Sequence, residues 1–121
     1  MDTGNIELAT MLIRIGAAVV MILFGIEQLL KPRKWIDYIP HWLRNLSPLS
    51  AESDMRAHSI GNIIIGLWLL IGFAPIVGIW VCIIWWITIL PFAFWHNWRI
   101  GLRDMVITLS LIALLLLTKM T

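Results

Sequence analysis

Residues 14–32 read RIGAAVVMILFGIEQLLKP, an apolar run with Arg14 near one end and Glu27-Gln28 near the other, closed by Lys31-Pro32. A charge held inside hydrocarbon costs on the order of a few kcal/mol, so such residues face a protein interior or a wet cavity and mark an ion pair or a function. The rest of the chain must therefore bring partners to Arg14 and Glu27. That requires more helices of the same apolar kind.

The remainder meets this demand. Of 121 residues, 60% are hydrophobic and 13% charged, with eight tryptophans, and the mean hydropathy is +0.90. That leaves too little polar surface to cover a soluble globule and points to a polytopic membrane protein. The net charge of +2 does not indicate nucleic acid, because the cations cluster in loops, where they determine topology. No nucleic-acid partner is expected. Cys82 is the only cysteine and falls mid-helix, which excludes an intramolecular disulfide, a redox pair and a cysteine metal site and leaves a packing role.

The first span is expected over about 8–30. At about 1.5 Å per residue it exceeds the ~30 Å hydrocarbon layer. Without a basic run before it or a small-residue cleavage site after it, it reads as a retained anchor. Residues 32–46, PRKWIDYIPHWLRNL, are too short and too charged to span. Ile36, Ile39, Leu43 and Leu46 recur at helical spacing, Trp35, Tyr38 and Trp42 favour the headgroup level, and Pro40 breaks a continuous helix. This predicts an interfacial amphipathic segment of one or two short helices anchored on the lipid side, the alternative being a lid over an internal site. Ser47-Pro48-Leu49-Ser50 then offers cap residues, with Glu52 and Asp54 suited to a helix N-terminus.

The second span is expected over 55–74. Its purely apolar part, from Ile60, is short for a bilayer, so His58 and Asn62 are drawn inward at i, i+4, on a face continued by Gly66 that lets another helix approach. A tight turn over 73–78 leads to the third span, 76–95, which Pro91 should kink and which places Trp85 and Trp86 near mid-bilayer. Residues 96–102 read as a short connection. The fourth span, 103–120, borrows Arg103-Asp104, because 105–117 alone falls short of the ~17–25 residues usually needed, and Asp104 suits a helix N-terminus. The expected fold is an all-α membrane protein, a four-transmembrane-helix bundle forming one domain over 1–121.

Four spans put Lys31, Arg33, Lys34, Arg44, Arg56, Arg99 and Arg103 on one side and Lys119 on the other. The positive-inside rule places the basic loops in the cytoplasm and both termini outside. A prokaryotic cell membrane is the expected location. The topology also gathers Glu27-Gln28, His58-Asn62, His96-Asn97 and Arg103-Asp104 at one membrane level. Arg14 stands nearly alone toward the opposite end.

Arg14, Gly25, Gln28-Leu29 and Pro32 together resemble the first helix of the DoxX-like family, roughly R-x3-G-x6-G-x2-K-L followed by proline. Gly61-Asn62 with Gly66 and Gly72 is similar to the family's glycine-rich, glutamate-bearing second helix, and Arg103-Asp104 resembles its Arg-Asp pair. Gln28 stands where the family has lysine, and Asn62 stands at its acidic position. The resemblance implies a four-helix bundle and, for some members, association with membrane redox systems, including a thiosulfate:quinone oxidoreductase subunit. Distant eukaryotic relatives have chaperone or cargo-receptor roles.

Several functions fit these residues. If Glu27, Gln28, His58, Asn62, His96, Arg103 and Asp104 form a mutually satisfied network, the protein acts through its outer faces, as an accessory or assembly subunit of a larger, redox-type membrane complex. Trp85 or Trp86 would then contact another integral membrane subunit, with lipid covering the rest. Alternatively the cluster is a quinone-headgroup site, for which His58, His96 and Glu27 are chemically able to serve. A metal or haem bound by His58 and His96, completed by Glu27 or Asp104, is less favoured, as no histidine pairs with a second ligand in its own helix. Small-solute transport lacks a polar stripe through the full depth. No nucleotide loop, nucleophile elbow or zincin motif is present, so catalysis by this chain alone is not expected.

Overall fold

The computed structural model describes residues 3–120, and these are all-helical, with no strand among them. Helix α1 runs over Thr3–Leu30, 28 residues or about 42 Å. Two short 3-10 turns follow, Pro32–Lys34 and Ile36–Tyr38, then α2, His41–Leu46. Pro40 ends the turns as its ring requires, adopting φ −60° and ψ 149° ahead of α2. Helix α3 covers Ala51–Ile71, α4 Pro75–His96 and α5 Trp98–Lys119. Ser50, rather than Ser47, caps α3: its hydroxyl accepts from the Ser53 N–H at 3.2 Å.

Helices α1, α4 and α5 are each long and apolar enough to cross a membrane. Such a set marks a multi-pass membrane protein, and their exposed leucine and isoleucine faces suit lipid. The helix expected to make the remaining span, α3, is 21 residues long, but Glu52, Asp54, Arg56 and His58 lower the apolar character of its first half.

The four long helices form an antiparallel ring in the order α1, α3, α4, α5. Glycines fix two of its seams. A Cβ on Gly25 would come within 2.7 Å of Ile63 Cγ1 and 3.0 Å of the Ser59 carbonyl, and one on Gly66 within 2.8 Å of Ile22. Backbones can approach this closely only where the side chain is missing. Gly61 likewise receives the Trp85 ring. At the hairpin tip Gly72 takes φ 78° and closes α3 through an N–H bond to the Trp68 carbonyl.

The connection between α4 and α5 is shorter than the expected 96–102. Only Asn97 leaves the helical path. Its side-chain oxygen accepts from the Arg99 N–H at 3.0 Å, so α5 starts immediately, and Gly101 makes room for the Phe94 ring across the bend.

Candidate functional site

One level of the bundle is closely filled by apolar side chains, whereas the level carrying the polar residues is hollow. Ala18, Met21, Ile79, Cys82, Leu111 and Leu114 form the filled part, each at most 1% exposed. Toward the α1 C-terminus lies a half-open chamber of about 370 Å³, lined by residues from α1, α3, α4, α5 and the segment after α1. That volume lies within the ~300–1,000 Å³ usual for small-molecule sites.

Asn62 organises one wall. Its Oδ1 accepts from Trp85 Nε1 at 2.6 Å, so its Nδ2 must face the other way, where it donates to Gln28 Oε1 at 2.7 Å. The indole can only donate, and this fixes both amide orientations. The Trp85 ring stacks on His58, with centroids 4.9 Å apart and an 11° interplanar angle. His58 is thereby held flat at the chamber edge.

On α5, Arg103 pairs with its neighbour Asp104, Nε to Oδ1 at 3.1 Å, and lies 5.6 Å over the Phe24 ring. Asp104 is buried; half of the Arg103 side chain is exposed. Glu27, the other expected partner of Arg103, does not join them. It points outward from α1 and accepts from Trp35 Nε1 at 3.3 Å. Gln28, one residue on, takes the inward position instead. A helix turns about 100° per residue, so Glu27 falls on the exposed side of α1 when Gln28 is buried.

Residues 32–47 fold over the chamber. Trp35, Tyr38, Ile39, Leu43 and Ser47 all line it, while Trp42 faces outward. The cover is stiffened from within by Arg44, whose guanidinium donates to the Ile39 carbonyl at 2.9 Å and to the Ile36 carbonyl. It is fastened to the helices by Arg33–Glu52 at 2.8 Å and by Ser47 Oγ donating to Asp54 at 2.9 Å. Tyr38 stacks on His96, 4.2 Å between centroids. Burial raises the Tyr38 hydroxyl above the ordinary phenol range, and the nearby Arg103 guanidinium works against that rise.

His96 therefore lies outside the chamber, exposed, as a support for the cover and not as a second ligand beside His58. Among the described residues no three His, Cys, Asp or Glu side chains come together in a metal-binding group. Arg14, at the far end of α1, donates to the Leu69 carbonyl at 3.2 Å near the α3 C-terminus. It satisfies a helix-end acceptor there. Trp85 and Trp86, expected to meet another subunit, both turn inward: Trp85 to Asn62, and Trp86 to the chamber with 5% exposure. Adjacent on one helix, the two rings are accommodated because Trp85 packs in the α3 seam at Gly61 while Trp86 lines the hollow.

Trp86 also holds the most unusual atom in the site. Its Nε1–H finds no hydrogen-bond acceptor among the described residues, although the indole is buried. The Cys82 thiol one turn back lies near it, yet sulfur is a weak acceptor and the hydrogen-bond geometry is not met. An unpaired buried donor costs about 1–3 kcal/mol. No protein-family model, curated protein or solved structure matches this chain. The chamber must be read from its own chemistry.

Sequence reasoning found four of the lining groups, Gln28, His58, Asn62 and Arg103-Asp104, from their shared membrane level. It placed Trp35 and Tyr38 in the lipid interface, with a lid over an internal site as the alternative, and both residues line the chamber.

Proposed function

We propose that this chain is a four-span membrane protein of the DoxX-like type that holds a lipid-soluble small molecule in its chamber. The observation that carries this reading is the aromatic-walled hollow of about 370 Å³ at the polar level of the bundle. A bundle whose only purpose was self-assembly would gain stability by filling that space. In this reading α3 is the fourth span, crossing with its polar first half sheltered by the chamber and the cover. The segment 32–46 lies at the basic-loop surface, in the cytoplasm, with both termini outside.

The accessory-subunit reading expected Trp85 or Trp86 to contact another subunit; within this chain Trp85 bonds Asn62 and Trp86 is buried. The Gln28–Asn62 pair supports the DoxX-like assignment: the two positions where the family pattern has lysine and an acid are here joined by a neutral hydrogen bond. Opposite charges at that spot would pair in the same geometry.

The test is to purify the protein from its native membrane in mild detergent, extract it with organic solvent and identify what is released by mass spectrometry. The wild type should yield one lipophilic compound near stoichiometry, and Ile89→Trp, which fills the chamber, should lose it. Equal extracts from both proteins, indistinguishable from bulk lipid, would remove the reading. For orientation, with Cys82 replaced, single cysteines at Thr3 and Ser50 should react with an impermeant reagent from opposite sides, Thr3 from outside.

A further inference from the structure

The charge left over on the chamber wall specifies the head of its ligand. We propose that the occupant is a lipophilic organic cation, an ammonium head on an apolar body, with the Asp54 carboxylate as its counter-ion and the chamber rings as its contact surface. The inference rests on the chamber reading above.

Asp54, Arg103 and Asp104 all line the space. Arg103 and Asp104 neutralise each other, Nη2 to Oδ1 at 3.1 Å. Asp54 forms no ion pair among the described residues. The Ser47 hydroxyl that donates to it and its place in the first turn of α3 supply partial charges but no counter-ion. The Gln28 and Asn62 amides are neutral and bonded to each other, and the His58 ring lies flat against Trp85. An anionic head would therefore meet a like charge and no free cation, whereas a cationic head completes a pair.

The walls decide what kind of cation. A metal ion is ill served: no three His, Cys, Asp or Glu side chains gather among the described residues, and a small divalent ion takes about six oxygen ligands. Aromatic rings instead hold weakly hydrated cations, because the ring face is the negative side of its quadrupole. Trp35 and Tyr38 of the cover, Trp86 and Phe92 of α4 and Phe24 of α1 supply such rings. One of them already attracts a cation, since Arg103 lies 5.6 Å over Phe24. A zwitterionic phospholipid would bring its phosphate to the same acid, so a separate amine-type compound suits the wall better.

The experiment uses the full chain, stripped of lipid in a neutral maltoside detergent, and reads tryptophan fluorescence during titration. Three probes share one ring: benzyltrimethylammonium, its uncharged isostere neopentylbenzene, and phenylacetate. The cation should bind saturably and about tenfold more tightly than neopentylbenzene, and phenylacetate more weakly than either. Asp54→Asn keeps an oxygen for Ser47 and should cost the cation about tenfold. It should leave neopentylbenzene within about twofold, which shows the chamber intact. Asp54→Glu should keep the preference for the cation. Asp37→Asn removes an exposed acid of the cover that does not line the chamber, and should move neither affinity by more than about twofold. Equal binding of cation and isostere, tighter binding of phenylacetate, or an Asp54→Asn protein that keeps the preference would overturn the cationic head. In the native extract the occupant should be an amine or ammonium compound. If no probe binds while that extract yields a stoichiometric neutral lipophile, the head assignment falls and the chamber reading stands. If the extract is also empty, both fall.

Discussion

The filled and hollow levels of this bundle use the same four helices under opposite rules. In the filled part, Met21, Cys82, Leu111 and Leu114 interlock in a layer with no polar side chain, and the Cys82 sulfur sits 3.3 Å from that of Met21. In the hollow part each helix brings at least one polar group, and aromatic rings wall the space without closing it. Small flexible groups can pack to density, whereas stacked rings held by hydrogen bonds cannot collapse into a void. The hollow is held open by its polar relay. Removing the relay should affect the chamber, while removing bulk should affect the core.

The sharpest contrast comes from truncation. Leu111→Ala in the filled part creates a cavity and should lower stability by about 2–5 kcal/mol. Leu43→Ala, which only enlarges an existing space, should stay under about 1 kcal/mol. Reversible unfolding in mixed micelles measures both. Equal losses would mean that the hollow is packed in the membrane.

A smaller effect is expected from the relay. Asn62→Leu strands the Trp85 N–H and the Gln28 oxygen and should cost about 1–3 kcal/mol. Adding Gln28→Leu should cost less than the second single substitution does alone, because its partner is already gone. Plain additivity in the same assay would show that the two amides are not coupled.

The smallest effect belongs to the charge pair. Because solvent reaches half of the Arg103 side chain, its coupling with Asp104 should be under about 1 kcal/mol in a double-mutant cycle with Arg103→Met and Asp104→Asn. A coupling of several kcal/mol would place the pair deep in a dry interior.

Helix positions were legible because apolar length and capping residues act locally: Ser50, Gly72, Pro75 and Asn97 all sit at or beside helix ends. The common level of Gln28, His58, Asn62 and Asp104 was legible from topology alone. Inward or outward placement was not always so. Glu27 and Gln28 compete for one face, and the outcome depends on Asn62 across the seam; His96 depends on where Tyr38 lands after a proline break. The hollow itself follows from the mutual geometry of rings on α1, α3, α4 and the segment after α1, which no single stretch of sequence encodes.

An occupant of the chamber should be sensed by Trp86, whose side chain lines the space. Nitrogen-15 labelling of the indoles in nanodiscs, with the Trp86 resonance assigned by its loss in Trp86→Phe, tests it directly. After delipidation the Trp86 indole proton should lie upfield, as for an unbonded donor, and the Trp86 resonance should shift when the native extract is returned. An indole proton that stays at a hydrogen-bonded shift in the stripped protein, unchanged by the extract, would show that Trp86 is satisfied within the chain and would contradict the account.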